Sequence, residues 1–133
     1  MSRDIKFRGK RIDNGEWVYG AFYPIKDEDV CFIINNCKSI DFDDGDTTFN
    51  GYKVHRKSVG EFTGLHDKNG KEIYEGDILK TFPIISSDKI AYDSFNVLVK
   101  FINSSWIANG VLGKRQAEIS EVIGNIYENP ELL

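Results

Sequence analysis

A chain of 133 residues carrying 41% hydrophobic and 29% charged side chains has the size and composition of one globular domain, not of a disordered chain, and needs no staple to hold a core. No apolar run approaches the ~20 residues of a membrane helix, and Met1-Ser2-Arg3-Asp4 has no apolar stretch of the kind a signal peptide needs, so cytoplasmic residence is the expectation. The net charge of −4 comes from residues 61–133, with 7 basic against 11 acidic side chains, while residues 1–60 balance at 10 and 10; bulk charge therefore does not hold nucleic acid, but a local basic patch is compatible.

In chain order the elements read as β-structure. Ile5 and Phe7 alternate with Lys6, Arg8 and Lys10, the period-two mark of a half-buried strand within 5–12. Asn14-Gly15 then offers the two residue types that best accept positive φ in a two-residue hairpin turn. The second strand, 16–23, holds Trp17-Val18-Tyr19-Gly20-Ala21-Phe22-Tyr23, apolar on both faces and so expected to be central or covered on both sides. Val30–Ile34 is a short apolar run rich in β-branched residues. Cys31 and Cys37 lack CxxC spacing and a second ligand pair, so reduced thiols are expected. Asn50-Gly51 is expected to turn between strands at 47–49 and 52–54, and Asn69-Gly70 within a longer loop between 62–65 and 72–74. Glu75-Gly76-Asp77 should turn into a strand at 78–81. Residues 95–101 alternate, with Phe95, Val97, Val99 and Phe101 on one face. Asn109-Gly110 joins 106–108 to 111–112, a short helix is expected in 114–121, and 121–127 reads as the last strand. At the end Asn129 can cap a single turn opened by Pro130. Residues 41–46 and 83–94 are the expected mobile loops. The fold expected is all-β: one hairpin-rich domain over 1–133, built of small bent sheets or an SH3-like barrel, with little helix.

Candidate chemistry is sparse. Asp41-Phe42-Asp43-Asp44-Gly45-Asp46 resembles a calcium loop, but its Gly is fifth rather than sixth and Tyr52 stands where a bidentate Glu is needed, so no metal site is expected. Gly64 to Lys71 misses the phosphate-loop spacing, and Glu72 follows the Lys where Ser or Thr should stand; Asp67-Lys68-Asn69-Gly70 reads instead as a β-turn with Gly70 left-handed. Arg3, Lys6, Arg8, Lys10 and Arg11 cluster at the start. Lys6, Arg8 and Lys10 share one strand face, and Trp17, Tyr19 and Tyr23 lie on the next strand. Cations beside aromatics suit single-stranded nucleic acid, charge holding phosphates and rings stacking bases; the plainer reading is a solvated outer face. Glu75, Asp77 and His66 are the residues a small carboxylate/His enzyme would use. Neither His55 nor His66 belongs to a metal spacing, and no catalytic residue or cofactor is expected.

The segment Val59-Gly60-Glu61-Phe62-Thr63-Gly64-Leu65-His66-Asp67-Lys68-Asn69-Gly70-Lys71-Glu72-Ile73-Tyr74-Glu75-Gly76-Asp77-Ile78-Leu79 resembles the signature of the YopX family. The opening Ile5-Lys6-Phe7-Arg8 and the close from Val122 to Leu133 resemble it too. Segments 24–58 and 82–117 carry no family pattern, and Glu61 stands where Gln is usual. The resemblance implies a phage or prophage source, a bacterial cytoplasm, a mostly-β fold and no known reaction. Within the motif Gly64, Asp67, Asn69, Gly70, Tyr74, Glu75, Gly76 and Asp77 read as structural. The function expected is non-enzymatic: an accessory protein that binds a phage or host macromolecule, a protein first and nucleic acid as the alternative. Exposed sheet edges would permit a homo-oligomer. No membrane partner is expected.

Overall fold

The computed structural model describes residues 5–27, 29–36 and 50–133. Cys37, Arg3, the acidic turn 41–46 and the strand expected at 47–49 lie outside them. The fold is all-β: thirteen strands, one five-residue α-helix and two short 3-10 turns among the described residues. No helix among the described residues is long and apolar enough to cross a membrane. The chain divides into two compact units, 1–61 and 62–133.

The first unit is a small barrel. Strand β1 (Phe7–Lys10) pairs antiparallel with β2 (Trp17–Tyr23), β2 with β3 (Val30–Asn36), and β3 with β4 (Asn50–His55). The chain just beyond β1 closes the ring on β4: Arg11 bridges Val54, and the Ile12 N–H donates to the Lys53 carbonyl at 3.1 Å. Closure removes a sheet edge that would otherwise pair promiscuously. Alternation puts Phe7, Val18, Phe22, Cys31, Ile33, Tyr52 and Val54 inside, around the fully buried Cys31, Ile33 and Val54. Each fully buried side chain of this kind contributes about 1.5–3 kcal/mol. The interior is filled to the backbone. A Cβ on Gly9 would lie 2.8 Å from Val54 Cγ2, and one on Gly20 would lie 2.2 Å from the Ile34 carbonyl oxygen. Arg56 ties the β2–β3 connection down, donating to the carbonyls of Ile25, Asp27 and Val30.

In the second unit, strand β5 (Gly60–His66) continues from the first and forms a hairpin with β6 (Glu72–Tyr74). Strand β7 (Asp77–Thr81) is the centre of a three-stranded sheet, between β10 (Phe95–Leu98) and β13 (Glu121–Asn125). Two hairpins stand beside it: β8 (Ile84–Ser86) with β9 (Lys89–Ile90), and β11 (Lys100–Ile102) with β12 (Ser105–Ile107). Helix α1 (Lys114–Glu118) is the short helix expected. The core gathers Ile73, Leu79, Val99, Trp106, Ala108, Leu112 and Ala117.

Several expectations need correction. Asn50-Gly51 is not a turn: it lies in β4, with Gly51 opposite Ile34 and Asn50 opposite Asn36 across a bulge. At Asn14-Gly15 only Gly15 takes positive φ, in a loop closed by Arg11 and Glu16. The run 95–101 is two strands, broken at the buried Val99, whose N–H donates to the Asp77 carbonyl at the first residue of β7 and whose carbonyl accepts from Gly76 in the turn before it. Residues 83–94 contain the β8–β9 hairpin. Strand β2 is central, but Tyr19 and Tyr23 on its outer side are 48% and 43% exposed, so it is covered on one face only. Asn129 precedes a 3-10 turn at Pro130–Leu132 without capping it; its side chain accepts from the Asn125 N–H.

Candidate functional site

Residues directly opposite one another in an antiparallel pair project to the same side. The register therefore defines the barrel's outer face row by row. Lys10 lies opposite Trp17 and Arg8 opposite Tyr19; further round, Tyr23 lies opposite Phe32, which lies opposite Lys53. His55 shares the face one step along from Lys53, and Lys6 stands just before β1. No carboxylate occupies a register position of this face among the described residues. The register thus gathers basic and aromatic residues on one face of a chain of net charge −4.

The side chains on this face are not equivalent. Arg8 is buried, and its guanidinium carbon sits 4.9 Å from the centroid of the Trp17 ring, a stacked cation–π contact. Lys6, Lys10 and Trp17 are half-buried, whereas Tyr19, Tyr23 and Lys53 are open to solvent. Arg11 is committed elsewhere: it donates twice to Asp13, at 2.8 and 2.6 Å, and lies over the Tyr52 ring. The hydrogen bond from Arg11 holds the Asp13 carboxyl below its ordinary value, and the same bond raises Arg11. Sequence reasoning placed Lys6, Arg8, Lys10, Trp17 and Tyr19 here but missed Phe32, Lys53 and His55. The alternation Tyr52-Lys53-Val54-His55 is the signal that separates inward from outward on β4.

The motif residues build turns. Asp67 is buried, and its carboxylate accepts three backbone N–H groups. Asn69 and Lys71 donate to Oδ1 at 2.8 and 2.9 Å, and Val122 donates to Oδ2 at 3.0 Å. Burial pushes its pKa up, but the donors Val122, Lys71 and Asn69, with the Lys71 charge, outweigh burial and hold it below the usual carboxylate value. The Asp67 carbonyl accepts from the Gly70 N–H, with Gly70 at φ 80°. Gly64, at φ 85°, sits in the bulge of β5, where Thr63 Oγ1 donates to the Ile73 carbonyl at 2.7 Å. In the Tyr74-Glu75-Gly76-Asp77 turn, the Asp77 carboxylate accepts from the Tyr74 N–H at 2.8 Å. Gly76, at φ 90°, bonds Val99 and Ile126 through its N–H and carbonyl.

A pocket of about 250 Å³ lies beside the β5–β6 hairpin, lined by Gly64, Leu65, His66, Asp67, Lys114, Ala117 and Glu118. His66 reaches it, but neither Glu75 nor Asp77 lines it, and Asp77 is engaged inside its own turn. The carboxylate/His trio is therefore not brought together there. Among the described residues no cluster of three or more His, Cys, Asp or Glu is spaced to hold a metal ion. Burial raises the Cys31 thiol, with a smaller opposing pull from Arg56.

The crystal structure of protein EF1440 from Enterococcus faecalis is similar to this chain, with a TM-score of 0.57 and 25% identity over 99% of each chain. No curated protein matches the sequence. The YopX protein family matches residues 6–133, nearly the whole length, and the chain belongs to the YopX family.

Proposed function

We propose that this protein is a non-enzymatic phage or prophage accessory protein of the bacterial cytoplasm, and that it acts by binding a phage or host macromolecule through the outer face of its first barrel. The observation that carries the reading is segregation: the register collects Arg8, Lys10, Lys53 and His55 with Trp17, Tyr19, Tyr23 and Phe32, with Lys6 just before β1 and no carboxylate at a register position of the face among the described residues. Two tyrosines half open to solvent on a rigid strand are large contact groups with little conformational entropy to lose. The test is affinity capture from host lysate with wild type and with Tyr19→Ser/Tyr23→Ser. The proposal expects a specific partner that wild type retains after nuclease treatment and the variant loses, with the fold of the variant checked by Trp17 emission in a Trp106→Phe background. Equal capture by both proteins contradicts it.

The same face favours one second reading, single-stranded nucleic acid, because phosphate-binding cations alternate with stacking rings. That reading expects affinity for an oligonucleotide to fall steeply with salt and to fall again in Lys6→Glu/Lys10→Glu. Binding indifferent to both would sink it.

A further inference from the structure

We propose that Asn109 is a self-modification site, at which the side-chain amide is lost and a carboxylate gained through attack by the Gly110 backbone nitrogen. The reaction needs only water. The Gly110 nitrogen bonds to Asn109 Cγ as its proton leaves, the Cγ–NH2 bond breaks with release of ammonia, and a five-membered imide forms. Water opens that ring at either carbonyl to give aspartate or its β-linked isomer.

Every Asn-Gly pair has this chemistry latent, because Gly has no side chain to hinder attack, and Asn is among the thermolabile residues. The chain has four such pairs, and the fold treats them differently. The Gly15 N–H donates to the Arg11 carbonyl at 3.1 Å, while Asn14 Oδ1 is held by the Glu16 N–H at 3.0 Å. The Gly70 N–H donates to the Asp67 carbonyl at 3.0 Å, and the Asn69 N–H is anchored on the Asp67 carboxylate. Asn50-Gly51 is fixed in the β3–β4 ladder. In each of these the backbone is held by a bond or a strand that attack must first release.

Asn109-Gly110 shares its exposure and open surroundings with Asn69-Gly70 but lacks the bonds that hold the other pairs. Both residues are exposed at a hairpin tip, and a Cβ placed on Gly110 would meet nothing within 4 Å. Among the described residues, the turn's bond uses the Gly110 carbonyl, accepting from the Ala108 N–H at 2.8 Å, and none uses the Gly110 N–H or the Asn109 side chain. Asn109 stands at φ 59°, in the left-handed region that Asn tolerates better than most residues. The product has consequences for packing. The β-linked isomer adds a carbon to the backbone between the buried Ala108 and Leu112, where the Leu112 N–H donates to the Trp106 carbonyl at 2.9 Å.

The experiment is incubation of the intact protein in mildly alkaline buffer at growth temperature, with time points mapped by peptide mass spectrometry and isoaspartyl-specific methylation. A denatured sample serves as control. One hydrogen bond withheld from the barrier is about tenfold in rate, so conversion at Asn109 should outpace that at Asn14 and Asn69 by about that factor in the folded protein, with the bias lost in the denatured one. Asn109→Gln, whose longer side chain closes a ring far more slowly, should abolish the early product. If Asn14 or Asn69 converts first, if all react together, or if the denatured chain keeps the same order, the proposal is overturned; the wild-type map decides this even if the Gln variant fails to fold.

Discussion

Replacing Asp67 by Asn changes one oxygen to an NH2 at a buried carboxylate of the motif. The carboxylate accepts three backbone donors. An amide can turn its oxygen to Asn69 and Lys71, but its nitrogen then faces the Val122 N–H, donor against donor. A hydrogen bond to a charged group contributes about 1.5–3 kcal/mol net. Losing one bond and the charge behind the other two therefore costs about 2–4 kcal/mol. Asp67→Ala leaves all three donors buried and unpaired, at about 3–5 kcal/mol. For a cooperative unit of this size each kcal/mol moves Tm by about 4–8 °C, so Asp67→Asn should lower the melting temperature of the second unit by roughly 8–32 °C. Trp106 is in that unit and Trp17 in the other, so a thermal melt read by fluorescence in a Trp17→Phe background isolates the effect. A shift of only a few degrees for both variants would refute the reasoning. The pH dependence gives a second check. The folded carboxyl lies below its ordinary value of 3.8, so the unfolded chain binds the proton more readily. The stabilisation is complete above that ordinary value and is lost as pH falls through the lower folded value. The gap in stability between wild type and Asp67→Asn should accordingly narrow in acid.

Arg56→Ala removes the donors to Ile25, Asp27 and Val30; amide hydrogen exchange across 25–30 should accelerate, with a loss of about 2–4 kcal/mol, and Arg56→Lys should not restore it because an ammonium cannot span the fork. Gly20→Ala forces a methyl against the Ile34 carbonyl at 2.2 Å, where backbone cannot yield, and should destabilise the barrel by about 3 kcal/mol or more in a denaturant titration read by Trp17. Ser104→Gly should stabilise, since Ser104 stands at φ 63° and relief of that strain is worth about 0.5–1 kcal/mol, measured as a raised melting temperature.

The strand pattern was legible because alternation survives in single sequences: Glu72–Tyr74 was located to the residue, and β1 to β4 within a few positions. Turn chemistry was legible where the side chain itself makes the turn, as Asp67 does. It misled at Asn50-Gly51, where pairing with β3 overrides the local preference of both residues. It was silent at Asn103-Ser104, where two positive φ values form the two-residue β11–β12 hairpin with no Gly to announce it. The break at Val99 was invisible because the alternation of Phe95, Val97, Val99 and Phe101 continues through it; what splits the run is that its partner β7 begins at Asp77, with the Gly76 turn taking the Val99 carbonyl. For the candidate site, Lys6, Arg8, Lys10, Trp17 and Tyr19 are close in sequence and shared a readable face. Phe32, Lys53 and His55 join them only through two further strand pairings. The burial of Arg8 against Trp17 depends on packing that periodicity does not encode.

The most direct test of where this protein makes contact is a lysine-reactivity footprint, taken with and without host lysate and read by mass spectrometry. The account predicts that lysate protects Lys6, Lys10 and Lys53 while Lys89, Lys100 and Lys114 of the second unit stay as reactive as before. Protection confined to the second unit, or no protection at Lys10 and Lys53, would contradict the assignment of the barrel's outer face as the binding surface.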